Sequence, residues 1–400
     1  MAGVVFNDRP LIGVRTGVGH YLAEVLSHWP REEVTIPVGG IGRWTRSRYP
    51  RLPEPFRFGS LDQIDPVKMT TLDRLAGEHA EACGRGGAAG AFRPVLQAGL
   101  ECVQRVSALD AGLFWEPNHI PAARGRRVVT TVHDLSVLDR PGDHPAHRVE
   151  HWRRAFEARL DWSDAFVCVS RATADALGPH LATRGLDPAS ARVIHLGPRW
   201  PEAPADWTPS GVRSRLGLGE GDRLIVCLGT IEPRKNHRVL LDALGEMSES
   251  ERGGLKLVFA GRPGWGGSAF WASLAEHPMA ASVIAPGYVD DAQAAALLLA
   301  SRGLVYPSLY EGFGLPLLEA MRLGAPTGIS SAASLVEVAG GSSLVAAPDD
   351  AAAWAGILAT LAGDEAERAR LADLGRARAG AFSWARCAAE HAALFKELLP

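Results

Sequence analysis

Long apolar runs are absent from this chain: no stretch approaches the roughly 20 consecutive residues that a membrane-spanning helix needs. Nor does its opening read as a secretory signal, so a cytoplasmic location is the expectation. Charge of one sign is also missing. With 42 lysines and arginines against 45 acids, the net charge is −3, which gives no electrostatic footprint for general nucleic-acid binding. Cysteine is sparse, at positions 83, 102, 168, 227 and 387, and no CxxC pair occurs. Cys168 and Cys227 lie in apolar strand-like runs, so they read as buried reduced thiols. What remains is ordinary soluble composition, 46% hydrophobic and 22% charged over 400 residues, enough for two cores of roughly 200 residues each.

Both halves share one rhythm, in which short β-branched runs alternate with longer amphipathic ones. That alternation predicts parallel sheets flanked by helices. In the first half the strand candidates are Gly3–Phe6, Gly112–Trp115, Val128–Val132, Ala165–Val169 and Arg192–Leu196. Between the first two, Tyr21, Leu22, Val25, Leu26 and Trp29 fall on one face of a helix over Gly19–Trp29. The proline-rich segment Trp200–Ser210 breaks both periodicities and reads as a linker. Strand candidates then resume at Arg223–Leu228, Leu255–Ala260, Ser282–Ala285, Gly303–Tyr306, Pro326–Ile329 and Ser343–Ala346. The helical candidates there are His237–Met247, Ala292–Ser301, Pro316–Leu323 and Asp350–Leu361, and a final amphipathic helix covers Ser383–Leu399. Two doubly wound α/β domains follow, which bind ligands at the C-terminal ends of their strands.

Two clusters carry chemistry. The first, CLGTIEPRKN at Cys227–Asn236, runs from an apolar strand through a glycine and a tight turn into adjacent cations and a helix. Such a turn aims N–H groups and cations at phosphates; a solvated Arg-Lys pair at a helix start is the competing reading. The second, YPSLYEGFGLPLLEAM at Tyr306–Met321, sets Gly312 and Gly314 before a helix opening near Leu315–Pro316. Glycine permits close backbone approach, proline suits a first helical turn, and the free N–H groups of that turn favour a diphosphate. Glu311 precedes the helix and Glu319 lies about one turn into it. An unpaired carboxylate in the apolar run around Glu319 is costly; a ribose diol or a neighbouring backbone cap would satisfy it.

These residues resemble the retaining glycosyltransferases of family 4, built on the GT-B fold, in which two Rossmann-like domains face across a cleft. The likeness covers nearly the whole C-terminal half, including Ser334–Gly340 and the Phe382–Trp384 turn into a last helix that returns to the N-terminal domain. It implies domains at 1–203 and 204–380, with 381–400 as the returning helix. It also implies that Lys235 and a neighbouring arginine hold a donor diphosphate, that Glu319 holds the ribose, and that Glu311 faces the donor sugar. Many members have Gly-Arg where this chain has Gly229-Thr230, so Arg234 becomes the second phosphate cation. Thr230, Gly312, Phe313, Gly314 and Leu315 complete the donor grip, and the nucleobase rests near Arg262, Tyr288 and Val289.

The N-terminal half agrees more loosely. Arg15–His20 resembles the family's glycine loop, with Gly17 and Gly19 admitting donor phosphate or acceptor. Val129–Leu135 ends a strand in His133-Asp134, where the family places a histidine beside the donor sugar. Ser170 lines the cleft in the family and equally suits a helix N-cap. Three histidines, 144, 147 and 151, invite a metal reading, but Pro145 interrupts them and the resemblance implies no metal and no cofactor beyond a nucleotide-sugar substrate such as a UDP- or GDP-hexose. The eleven tryptophans suggest sugar stacking, but most sit at helical core spacing, and Trp265 in RPGWGG is the one that reads as a cleft residue. The expected reaction moves a hexose or aminohexose to an acceptor hydroxyl on a natural product, aminocyclitol or cell-surface polysaccharide. Epimerase or hydrolase chemistry on the same fold, and a non-catalytic sugar-nucleotide sensor, remain as alternatives. Asp134, Asp139 and Asp143 would greet a cationic acceptor, whereas the basic stretch Arg43–Arg57 would bring the chain to a membrane surface. Oligomeric state is not legible.

Overall fold

The computed structural model describes residues 4–11, 17–30, 38–39, 108–109, 111–199 and 208–399. Arg43–Arg57, Arg15 and most of the proline-rich linker lie outside them. The described residues form two compact units, each built on a parallel sheet. In the first the strands are β1 (Val4–Phe6), β2 (Val38–Gly39), β3 (Leu113–Glu116), β4 (Val128–Val132), β5 (Ala165–Cys168) and β6 (Ala191–Val193). Their order is β2-β1-β3-β4-β5-β6, and the register sets Phe6 beside Trp115 and Trp115 beside Val129. Runs such as VVTTV are buried at every position, as expected where helices cover both faces of a parallel sheet.

The last helix, Trp384–Leu398, belongs to this first unit although it ends the chain. It lies on the helix Gly17–Ser27, where Phe395 meets Trp29 and Trp115 at ring separations of 5.6 and 5.4 Å. The expected return of the final helix is therefore present in the fold.

The second unit holds β7 (Arg223–Leu228), β8 (Leu255–Ala260), β9 (Val283–Gly287), β10 (Leu304–Tyr306), β11 (Thr327–Ser330) and β12 (Leu344–Ala346), in the order β12-β11-β10-β7-β8-β9. Its core joins Ile225, Leu257 and Val305 of the sheet to Leu240, Leu244, Trp354 and Leu358 of the helices His237–Glu246 and Ala351–Gly363. The segment Ser136–Glu150 is part of this unit. The Trp265 indole N–H donates to the Asp143 carbonyl at 2.6 Å, and the Tyr310 hydroxyl donates to Asp139 Oδ2 at 2.8 Å. A helix starts at Ala146, one residue past Pro145, because proline is tolerated before a first helical turn.

Candidate active site

In the second unit β7 and β10 are neighbours, so the segments that follow them are neighbours too. After β7 the chain turns through Gly229 into a single 3-10 turn, Pro233–Lys235, and then the helix His237–Glu246. That short turn aims Arg234 and Lys235 at the segment after β10. Lys235 Nζ donates to Glu311 Oε1 at 2.5 Å and to the Tyr306 hydroxyl at 2.7 Å. The Arg234 guanidinium spans Glu232 Oε1 at 2.8 Å, Glu311 Oε2 at 3.2 Å and the Tyr310 carbonyl at 2.6 Å. Two cations and two carboxylates thus form one interlocked, nearly dry cluster. Burial raises the pKa of the Glu311 carboxyl, but Lys235 and Arg234 outweigh it, and Glu311 ends below its ordinary value. For Glu232 burial wins and its pKa is raised, against the pull of Arg234 and Lys235.

Gly314 caps the next helix, Leu315–Leu323, in the left-handed region at φ 97°. That backbone conformation is what calls for glycine, and a Cβ there would in addition press on Leu335 Cδ2 at 2.5 Å. Pro316 sits in the first turn, where its missing N–H costs nothing. One turn further on lies Glu319, 1% exposed. Its Oε1 accepts from Arg199 Nε at 2.8 Å, and Arg199 Nη1 reaches Asp291 Oδ2 at 3.4 Å. Glu319 Oε2 is buried with no hydrogen-bond partner. Burial lifts the Glu319 pKa from 4.5 to about 7 despite Arg199. A carboxylate oxygen in this state lacks a donor, and a diol would supply one.

In the first unit His133 follows the end of β4. Its Nε2 lies 2.8 Å from the Pro117 carbonyl; a carbonyl only accepts, so Nε2 carries the proton and Nδ1 is left as acceptor. Burial, helped by the nearby His119, lowers the His133 pKa from 6.5 to about 3. The ring is therefore neutral, and Tyr21 packs edge-on against it at 4.9 Å. Tyr21 is itself fixed by a directional chain. The Cys387 carbonyl takes the Nδ1 proton of His391 at 2.8 Å, so His391 Nε2 accepts from the Tyr21 hydroxyl at 2.7 Å. Thr131 Oγ1 accepts from the Trp115 indole at 3.0 Å and gives its own proton to Tyr21 at 3.1 Å.

Comparison with known proteins now decides the family. Residues 212–378 match the family model for glycosyl transferases group 1, and residues 109–197 match that for glycosyltransferase family 4. The chain is 32% identical over 289 residues to the O-antigen chain mannosyltransferase B of Escherichia coli, spanning 72% of this chain and 74% of that one. The chain belongs to the family 4 glycosyltransferases. Another member, the MMP alpha-(1->4)-mannosyltransferase of Mycolicibacterium hassiacum, is 31% identical, with 70% of this chain and 67% of that protein covered. The GT-B fold recurs in the Anabaena HepE structure solved with UDP and glucose, at TM-score 0.64 and 15% identity over 99% of this chain and all of that one.

Set against the family's pattern, the positions read from sequence fall into three groups. Arg234, Lys235 and Glu311 are brought into one cluster, with Gly312, Gly314 and Leu315 leading from it into the helix of Glu319. Arg262 and Tyr288 stack, the guanidinium 4.2 Å from the exposed ring, beside Val289, while Thr230 is exposed just after β7. Other positions are used differently. Gly17 and Gly19 form the opening turn of the helix Gly17–Ser27 and are not loop residues. The Phe313 side chain is buried edge-on against Phe382 at 5.9 Å, which leaves only its backbone for a ligand. Ser170 is buried as the N-cap of the helix Arg171–Thr183, accepting from Thr173 N at 3.0 Å. Asp139 holds Tyr310 and Asp143 pairs with Arg140, so both already have partners, whereas Asp134 is half-buried beside His133. His144 is buried against Ser136 and Trp265, whereas His147 and His151 are exposed, so the three do not share one environment. Trp265 carries Arg148 over its ring at 4.6 Å. Sequence reasoning missed Arg199, Glu232, Tyr306 and Asp291 altogether. Glu232 and Tyr306 lie within the two motifs, but nothing in the sequence around Arg199 marks it.

Proposed function

We propose that the protein is a retaining mannosyltransferase that takes mannose from a nucleoside-diphosphate donor to a saccharide hydroxyl without a metal. The observation that carries this is the second unit's pairing of two phosphate-suited cations with a buried carboxylate, Glu319, whose Oε2 has no hydrogen-bond partner. Mannose as the sugar is supported by the mannosyltransferases among the relatives, including the two described above. A saccharide acceptor is supported by the O-antigen relative.

In this reading Lys235, Arg234 and the free N–H groups at Gly314–Leu315 stabilise charge on the departing diphosphate. Glu311 and Glu232 hold those cations in place until the donor arrives. Glu319 accepts from the ribose hydroxyls, and the base rests on the Arg262–Tyr288 stack. The neutral His133, with Nδ1 as acceptor, is assigned to a hydroxyl of the sugar. The C1–O bond to the diphosphate breaks, the acceptor oxygen bonds to C1 on the same face, and its proton passes to the leaving phosphate oxygen. That route needs no separate base.

A thermal-shift screen of UDP, GDP, dTDP and ADP sugars identifies the donor, since binding to the folded state raises Tm. Proton NMR of the product then reads the anomeric configuration, with chelator present throughout. An inverted product, or transfer abolished by the chelator and restored by a divalent cation, would overturn the reading. Free mannose or an epimerised donor formed without acceptor would replace it with hydrolase or epimerase chemistry.

A further inference from the structure

The geometry points to Arg199 as the positioning residue that aims the Glu319 carboxyl at a ribose diol. The inference deepens the reading of Glu319 given above and rests on it. Arg199 lies a few residues past the strand Ala191–Val193 and belongs, with Glu319 and Asp291, to the second unit. It is mostly covered, 15% exposed at the side chain, and it divides its donors between two acids. Nε holds Glu319 Oε1 at 2.8 Å while Nη1 reaches Asp291, the first residue of the helix Asp291–Ala300, at 3.4 Å. This bridge fixes the carboxyl from one side only. Arg199 holds the carboxyl at Oε1, while Oε2 is buried with no hydrogen-bond partner and stays available for a donor.

Electrostatics explain why a cation is needed there. Burial pushes Glu319 up to about 7, and Arg199 is the main force holding it down, while Asp291 pushes it up. Among the elements packed on this helix, β10 and β11 carry no charged residue and Ala333–Ala339 carries Glu337. The helix Glu365–Ala379 sets Arg376 against Gly324 at the far end. Without Arg199 the buried acid would be protonated at neutral pH. A protonated carboxyl spends one oxygen as a donor and can no longer receive both hydroxyls of a diol.

The test measures, by calorimetry, binding of GDP and UDP against their 2′,3′-dideoxy forms, for the wild type, Arg199→Met and Arg199→Lys. The wild type should prefer the ribo form, increasingly so from about pH 6 to about pH 8. Arg199→Met should lose roughly tenfold or more of that preference at neutral pH and recover it as pH rises further. Arg199→Lys should keep most of it, and dideoxy binding should be equal in all three, which also reports that the variants fold. Unchanged preference and an unchanged pH profile in Arg199→Met would overturn the inference alone. A wild type that binds the diphosphate but does not distinguish ribo from dideoxy would overturn the ribose role of Glu319 itself, a different result from the first.

Discussion

Past the end of β4 the groups are neutral and aromatic: His133, its pKa lowered to about 3 by burial, is flanked by the rings of Tyr21 and His119. Past the ends of β7 and β10 they are charged, with Arg234, Lys235, Glu232 and Glu311 locked together. Both ends are largely buried, so the difference is one of how desolvation is met. In the first unit a titratable ring simply stays neutral; in the second, charges survive because each has a partner. A neutral end suits a sugar hydroxyl, and a charged end suits an anion that can exchange places with the resident acids.

The sharpest way to break that comparison is to empty the charged end. Lys235→Ala should lower transfer roughly 10³-fold, about 4 kcal/mol of barrier, measured as kcat with Tm as a check on folding. Activity within tenfold of wild type would mean that the diphosphate is not gripped there.

Next comes the contrast inside the second unit, where the two glutamates should answer pH with opposite signs. The folded pKa of Glu319 is raised from 4.5 to about 7, so the wild type loses stability as pH rises through that window. Glu319→Gln lacks this loss. Its stability relative to the wild type should climb between about pH 5 and pH 8, by up to about 3 kcal/mol. Glu311, its folded pKa lowered, contributes stability above its unfolded value that is lost as pH falls through the folded one. Glu311→Gln should therefore be weakest at neutral pH and converge on the wild type in acid. Denaturant midpoints across pH decide it, and two slopes of the same sign would contradict the assigned environments.

At the neutral end, His133→Ala should cost roughly 10²-fold in kcat/KM, a smaller loss than Lys235→Ala. Because His133 titrates near 3, the wild-type profile should show no His133 limb between about pH 5 and pH 9. An acid limb that vanishes in His133→Asn would show the ring to be protonated during turnover.

The sheets were legible because parallel strands buried on both faces leave near-continuous apolar runs, and VVF, VVTTV and RLIVCL are such runs. β2 was not, since Val38–Gly39 is too short to leave a pattern. The residues of the charged cluster could be picked out because EGFGLP needs glycine and proline at fixed places, and fixed places make a motif. Arg199 and Asp291 could not be. Arg199 meets Glu319 and Asp291 across 120 and 92 residues, and no local periodicity encodes such contacts. Ser170 had two readings at a strand end, cleft lining and helix N-cap, and its side chain is taken up by the cap.

The smallest effect expected is also the one that separates support from contact in the first unit. Tyr21→Phe keeps the ring that packs on His133 and removes only the hydroxyl between Thr131 and His391. His391 Nε2 then remains a buried acceptor without a donor, because Nδ1 is committed to the Cys387 carbonyl. Stability should fall by about 1–3 kcal/mol, the usual consequence of leaving one buried polar atom unmade. Transfer should change less than roughly threefold, since His133 keeps its own bond to Pro117 and an unchanged ring beside it. Loss of activity as large as that of His133→Ala, at full stability, would instead place the Tyr21 hydroxyl against the substrate and make the neutral end a reacting surface in its own right.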